Sequence, residues 1–557
     1  MDSKDNFLSK LGTFISNIDD EYLIGITNKG ILNRSKKDLE KIKNIEYEIN
    51  EDNIKFKLDE VECVIKEEFK NTKCSCPSRT ICKHIIMSYL YLNMHKDEIF
   101  KEEECTKEEL IEEKFLQLKD YTLEEIKKNI GDKNFFNIIK RISFGFNYEI
   151  IEGSVIKVNF GEEGIVVTLL NEIENSVCSC KSKELCKHKA EALILYKLEK
   201  GYLTLEELLS YEKKIKHIDE EEIKKVSKEI RYCIEEILIS GLARCTETTI
   251  DRLNNMAIIC HNYDLPNFEK ELRNISKEVS LYFNKNASFT SERLLRKLTT
   301  IYTNTFILET TNNLNVLTKL IGEFKSSYYE IPIVKLHGVA QENWTSKSGY
   351  EGTTYYFYEN EKKIWFTYTN AMPIFYENNT KSNNYKRLNA SSPWQLNCKL
   401  EELSSITFKL IHGKINSKNR ISSSSESKGI ILDKSSILDL DIQKYYFDNW
   451  KNIINSDFIN NVNSETSNII FIKGNKFSES CFHSITQTLD LQIYDYENNI
   501  IKINIQFSLM TKKLIRTLER LSKKEPPLFL GRIYVENSEL KFYPLAYYKD
   551  GIACNLT

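Results

Sequence analysis

Three cysteines and a histidine recur twice in this chain with one spacing. The first set is Cys74-Ser75-Cys76, five residues, then Cys82-Lys83-His84; the second is Cys178-Ser179-Cys180, five residues, then Cys186-Lys187-His188. Both read C-x-C-x5-C-x-H. Three thiolates and an imidazole are the soft and borderline ligands that close a tetrahedral site around zinc, and four protein ligands leave no open position for a substrate. The pattern therefore predicts two structural Zn2+ sites and no chemistry on the metal. A shared serine in the first gap and a shared lysine before each histidine make coincidence a poor account of the repeat.

The other eight cysteines (Cys63, Cys105, Cys233, Cys245, Cys260, Cys398, Cys481 and Cys554) are scattered and read as buried apolar residues. A disulfide framework suits a short secreted chain, whereas this one is long and opens Met1-Asp2-Ser3-Lys4-Asp5 with no signal-like apolar stretch. A reduced, cytoplasmic protein is the expectation. Redox-active cysteines are the alternative to zinc.

Zinc with three thiolates and a neutral imidazole carries a formal charge of about −1. Lys73, Arg79 and Lys83 surround the first set and Lys181, Lys183, Lys187 and Lys189 the second, and these can offset that charge. The same seven residues are the candidate contacts to a phosphate backbone or a partner surface.

The elements that must hold these ligands can be read from the flanking periodicity. Ile86, Tyr89 and Leu90 after the first histidine match Ala190, Leu193 and Ile194 after the second, the i, i+3, i+4 stripe of a helix. The last Cys and His thus sit at a helix N-terminus, where the dipole favours thiolate. Upstream, Ile45 to Ile49 and Ile54 to Leu58, and again Tyr148 to Ile151 and Val155 to Phe160, alternate as hairpin strands. A third strand, Glu62 to Ile65 or Gly164 to Leu169, leads into each first ligand pair.

Strands, a C-x-C turn, a C-x-H pair and a helix together resemble the SWIM zinc finger. Cys74, Cys76, Cys82 and His84, and Cys178, Cys180, Cys186 and His188, fall on its four ligand positions. Patches further along, including Trp344 to Thr353, Trp365-Phe366, Ala371-Met372-Pro373 and Pro393-Trp394, look like bacterial SWIM-containing proteins of similar length. The resemblance implies partners of a particular kind, a MoxR-type AAA+ ATPase and a von Willebrand A-domain protein. Two fingers in one N-terminal half depart from the usual pattern, so the second has either a different partner or a scaffolding role.

The rest of the chain changes period twice. Thr106 to Leu118 and Thr122 to Ile130 read as a helical connector, with Thr122-Leu123-Glu124-Glu125 as a capping box, and Thr204-Leu205-Glu206-Glu207 repeats that device. Helices are predicted near Ile223 to Ser240, Thr248 to His261, Pro266 to Phe283 and Ser291 to Leu308, forming an irregular bundle. From about Tyr328 alternation takes over, with strands from Ile331 to Leu336 through Leu540 to Leu545 and one helix over Lys512 to Leu521. The predicted fold is α+β and multidomain: two small ββα-type SWIM zinc-finger lobes, a helical bundle and a mainly-β C-terminal domain. Its expected boundaries are 1–98 (strands and first finger), 99–143 (connector), 144–200 (second finger), 201–325 (helices) and 326–557 (β domain).

Four further features bear on chemistry. Tyr350, Tyr355, Tyr356, Phe357, Tyr358, Trp365, Phe366 and Tyr368 are dense enough to stack on bases, but Tyr355 to Tyr358 are consecutive, so at least half must be core. The stretch Arg420 to Glu426 reads as a mobile loop, with a phosphate contact as its alternative. Cys260 and His261 point about 100° apart on a helix and read as core and surface. His95, His217, His337, His412 and His483 lack partners at ligand spacing and read as partly exposed.

No phosphate loop, H-E-x-x-H, G-x-S-x-G or dinucleotide fingerprint occurs, so the chain is expected not to be an enzyme. No run approaches the ~20 apolar residues of a membrane helix. The formal net charge of −3 gives no long-range attraction to a polyanion. These readings favour a zinc-binding adaptor for protein partners; binding of DNA through the fingers is the alternative.

Overall fold

Alternation builds the same small sheet twice. In Ile54–Leu58 the three apolar residues are buried and the two lysines between them are exposed, as a strand with one covered face requires. The computed structural model describes the chain except for residues 1–2, 17, 28, 43–44, 67–70, 79–80, 101–114, 216–219, 312, 323–326, 347–348, 374–391, 457, 459–467 and 537. Two compact units result, Met1–Ile215 and Lys216–Thr557.

The first unit holds both ligand sets. Its first lobe orders four antiparallel strands as Glu46–Ile49, Ile54–Leu58, Val61–Ile65 and Lys73–Cys74, followed by the helix Lys83–Met94. Three helices precede that sheet, Ser3–Ser16, Asp20–Ile26 and Lys29–Leu39, in a segment grouped above with strands. Their Phe7, Leu11, Ile15, Leu23 and Leu32 share a core with Phe56, Ile86 and Tyr89.

The second lobe repeats the sheet order with Glu149–Glu152, Ile156–Asn159, Val166–Leu169 and Val177–Cys178, then the helix Lys187–Glu199. Its supporting helices are Leu116–Asp120, Leu123–Ile130, Asp132–Phe144 and Leu205–Ile215. The Thr122–Glu125 capping box forms as read, with Thr122 N–H donating to the Glu125 carboxylate at 2.7 Å and Glu125 N–H to the Thr122 hydroxyl at 3.2 Å. Most of the other predicted connector helix lies outside the described residues. Ile126, Phe135, Ile139, Ala190, Leu193 and Ile194 form a core separate from that of the first lobe.

In the second unit the helices Glu220–Ser240, Glu247–Asn262, Pro266–Phe283, Ser291–Thr310 and Leu314–Ile321 share one core, including Ile230, Leu253, Leu272, Ile275 and Leu298. Two sheets follow. A five-stranded antiparallel sheet runs Ile364–Pro373, Tyr350–Glu359, Val334–Thr345, Ile406–Ile411, Lys428–Lys434. A nine-stranded mixed sheet is built around Ile469–Lys473, Leu528–Glu536 and Glu539–Lys549, and the helix Lys512–Leu521 buries Leu514, Ile515 and Leu518 in its core.

The two sheets meet through Tyr356, Tyr358 and Trp365 on one and Phe471, Leu530 and Tyr548 on the other. On the opposite face of the five-stranded sheet, Phe357 and Phe408 pack against Trp394, with ring centroids 6.3 and 5.6 Å away. Both faces are therefore covered, and Tyr355 to Tyr358 are all buried. Trp365, Phe366 and Tyr368 are buried too, leaving Tyr350 as the exposed member of the aromatic cluster. None of the buried rings can stack on a base.

Candidate metal centres

The first two ligands of each set come from the end of a sheet. Cys74 and Cys178 close two-residue strands that pair with Val61–Ile65 and Val166–Leu169. The serine between the first two cysteines locks this arrangement. Ser75 N–H donates to the Glu62 carbonyl and Glu62 N–H to the Ser75 hydroxyl, both at 2.9 Å. Ser179 N–H donates to the Val166 carbonyl at 3.0 Å and Val166 N–H to the Ser179 hydroxyl at 3.2 Å. A short side chain with an oxygen acceptor is needed for the second bond of each pair, and serine supplies it in both copies.

The other two ligands come from a helix start. Cys82 and Cys186 are the N-cap residues of Lys83–Met94 and Lys187–Glu199, placing His84 and His188 in the first helical turn. The stripe after each histidine is buried as its spacing requires: Ile86, Tyr89 and Leu90 in one lobe, Ala190, Leu193 and Ile194 in the other. Packing of the helix against the sheet thus carries the second ligand pair onto the first.

In both sets the four donor atoms lie within 4.8 Å of one another. Cys74 Sγ is 3.8 Å from His84 Nδ1, Cys178 Sγ is 3.7 Å from His188 Nδ1, and Cys180 Sγ is 3.5 Å from Cys186 Sγ. A zinc tetrahedron with Zn–S of about 2.3 Å and Zn–N of about 2.0 Å has edges of about 3.8 Å between sulfurs and about 3.5 Å from sulfur to nitrogen. The three distances just given stand within about 0.3 Å of those edges.

The proton affinities of the donors are set by burial and by one another, and the hydrogen bond with Cys186 raises the His188 imidazole. Burial pushes the Cys74 and Cys82 thiols up to about 12. Burial also lowers the His84 imidazole, so it is neutral and able to bind a metal. A hydrogen bond from Cys178 holds Cys186 down to about 3, while Cys178 itself is raised. Three sulfurs crowded this closely become thiolates together only around a cation.

The basic residues around the sites have different fates. Lys83 is ion-paired with Asp38 at 2.8 Å. Lys189 is buried, and its ammonium donates to the carbonyls of Ser182 and Glu184 at 3.2 and 3.1 Å, across the loop between Cys180 and Cys186. A stem packed in the core with its head on those carbonyls cannot reach a phosphate. Lys73, Lys181 and Lys183 are exposed, Lys187 is half-buried, and Arg79 lies outside the described residues.

Other residues singled out by sequence fall as follows. Cys260 is buried and His261 exposed, 2.9 Å from Glu269. His337 is buried, unlike the partly exposed residue expected, because its ring meets the Thr407 hydroxyl at 3.1 Å inside the sheet. Among the scattered cysteines Cys233, Cys245 and Cys260 are core, Cys481 is exposed, and Cys105 and His217 lie outside the described residues. The loop Arg420 to Glu426 is tied to the sheet: Ile421 N–H donates to Thr367 at 2.7 Å, and Trp394 Nε1 to the Ser422 carbonyl at 2.7 Å.

One residue at the first centre was missed. Cys63 is fully buried and its Sγ lies 3.3 Å from Cys74 Sγ. Sequence reading placed it among scattered core cysteines, although its position one strand before the ligands was visible.

The SWIM zinc finger family model matches residues 62–93 and 165–197, the two segments just described. The chain carries two SWIM zinc fingers, and each supplies a Cys3His zinc site. No curated protein matches the chain. Among solved structures it is similar to a chain in the structure of a replication protein A heterotrimer bound to ssDNA, at 10% identity and a TM-score of 0.21. That likeness covers 38% of this chain and 48% of the other, about half its length. No helix among the described residues is long and apolar enough to cross a membrane.

Proposed function

We propose that the chain is a zinc-stabilised adaptor that binds a protein partner in the cytoplasm and is not itself an enzyme. The observation that carries this reading is the edge strand Lys428–Lys434, where Ile430, Ile431 and Leu432 are 51%, 39% and 41% exposed. Among the described residues no strand pairs with its outer side, and beyond Gly429, whose N–H donates to the Trp394 carbonyl at 2.7 Å, the stretch Ile430 to Leu432 is open to a partner strand. Folded proteins normally shield such apolar edges, since unpaired N–H and C=O groups recruit another strand. An extended segment of a partner would add main-chain hydrogen bonds there and set its side chains against the isoleucines and leucine.

The fates of the lysines support protein over DNA, because Lys83 and Lys189 are both engaged within the finger lobes. The exposed Lys181 and Lys183 keep nucleic acid as the second reading. The resemblance supplies the first partners to test, a MoxR-type AAA+ ATPase and a von Willebrand A-domain protein.

Zinc-loaded protein titrated with each purified partner, and separately with labelled single- and double-stranded DNA at rising salt, decides between the readings. Saturable protein binding lost in an I430K/L432K variant supports the adaptor. DNA binding that falls steeply with salt and weakens in K181E/K183E, with no binding to either protein, overturns it.

A further inference from the structure

We propose that Cys63 and Cys74 are a disulfide-forming pair through which a peroxide releases zinc from the first finger faster than from the second. This goes beyond the binding role above and does not depend on which partner is bound.

The geometry comes from strand register. Glu62 faces Ser75 in a hydrogen-bonded pair, so the next pair, Cys63 and Cys74, is non-hydrogen-bonded. In antiparallel sheets that is the closer kind of pair, with Cα atoms about 4.5 Å apart and side chains on one face. It falls within the span a disulfide bridges. The two sulfurs are 3.3 Å apart, so bonding them needs no backbone rearrangement.

The second finger has no such thiol beside its four ligands. Its register places Val167 opposite Cys178, where the first places Cys63 opposite Cys74. Both residues are fully buried in equivalent strands, so valine fills the same space without a thiol. The difference between the fingers therefore lies in reactivity, not in fold.

The step balances as follows. Cys74 is partly exposed, and its thiolate attacks one oxygen of hydrogen peroxide. The O–O bond breaks, giving Cys74 sulfenic acid and a hydroxide that takes a proton from solvent. Cys63 sulfur then attacks Cys74 sulfur; the S–S bond forms, the S–O bond breaks, and the departing hydroxide takes the Cys63 proton as water. Two sulfurs lose two electrons and the peroxide becomes two waters. The ion is left with Cys76, Cys82 and His84, and a chelator removes it.

The test uses the full-length, zinc-loaded protein with hydrogen peroxide and a chromogenic zinc chelator, followed by peptide mapping of disulfides. The wild type is expected to release one zinc at least about ten-fold faster than the other, with a Cys63–Cys74 crosslink that dithiothreitol and added zinc reverse. Cys63→Val, which copies the second finger, should hold two zincs and lose the fast phase. Val167→Cys should give the second finger a fast phase of its own. A fast phase that persists in Cys63→Val, disulfides confined to the four ligand positions, or a Val167→Cys protein that releases zinc like the wild type would each overturn the proposal.

Discussion

The Lys189 ammonium lies 3.1 Å from the Glu184 carbonyl oxygen inside the second finger lobe, held there by a side chain that is 1% exposed. With its second bond to Ser182, this lysine pins the loop between the second and third zinc ligands. Lys189→Met keeps the stem and removes the donor, at a cost of about 2 kcal/mol for two lost charged hydrogen bonds. Zinc affinity of the second site, read by chelator competition, should fall about thirty-fold, because ligand order and metal affinity are coupled. Lys183→Met, on the exposed rim, should leave it unchanged.

A buried ion cluster ties the helix behind the second finger to the finger itself. Arg141 Nε donates to Glu191 at 2.9 Å and Arg141 Nη2 to Glu163 at 2.8 Å, and Glu191 is 2% exposed at its side chain. Removing one partner strands a buried charge, at about 3–5 kcal/mol, whereas replacing both with apolar residues is far milder. Arg141→Met should lower the urea midpoint of the first unit strongly, and combining it with Glu163→Gln and Glu191→Met, which removes every charge of the cluster, should recover most of the loss. Equal losses in the single and triple variants would contradict this account.

Within the helical part of the second unit, Arg293 and Lys297 sit 2.7 and 3.3 Å from Glu278. The Arg293 hydrogen bond holds the Glu278 carboxyl below the ordinary glutamate range. The folded protein therefore binds this proton more weakly than the unfolded chain does. The stabilisation is fully present above the unfolded value and is lost as pH falls through the folded one. Protection factors across Pro266–Phe283, with the intrinsic pH dependence of amide exchange divided out, should fall on acidification below about pH 4.5 in the wild type, while Glu278→Gln should be less protected at neutral pH and less sensitive to acid.

Chelation should act on one unit. Removing zinc unfolds what the ligands hold together. Amide protection should therefore be lost around Lys73–Cys74, Lys83–Met94, Val177–Cys178 and Lys187–Glu199. The sheets of the second unit, which contain neither site, should keep their protection.

Much of this was legible in the residues. Period located the longer helices of the second unit, with Pro266–Phe283 and Lys512–Leu521 matching the predicted spans end to end, but not the short helices Leu314–Ile321 and Trp450–Ile454. The eight ligands were legible because metal geometry demands a spacing that local sequence displays. Features depending on what lies opposite were not. The strands Lys73–Cys74 and Val177–Cys178 are too short to show alternation. The edge strand Lys428–Lys434 follows a serine-rich run and reads as loop until its partner Ile406–Ile411 is known. Lys189 looks like a rim charge until the carbonyls around its head are seen, and Cys63 becomes more than a core residue only through its register with Cys74.

The most direct test of the account is metal content by mass spectrometry of the purified, extensively dialysed protein. It predicts two zinc ions per chain in the wild type, and one each in Cys82→Ala and Cys186→Ala, consistent with two independent four-ligand sites. A wild-type protein with no zinc, or single variants that retain both ions, would contradict it.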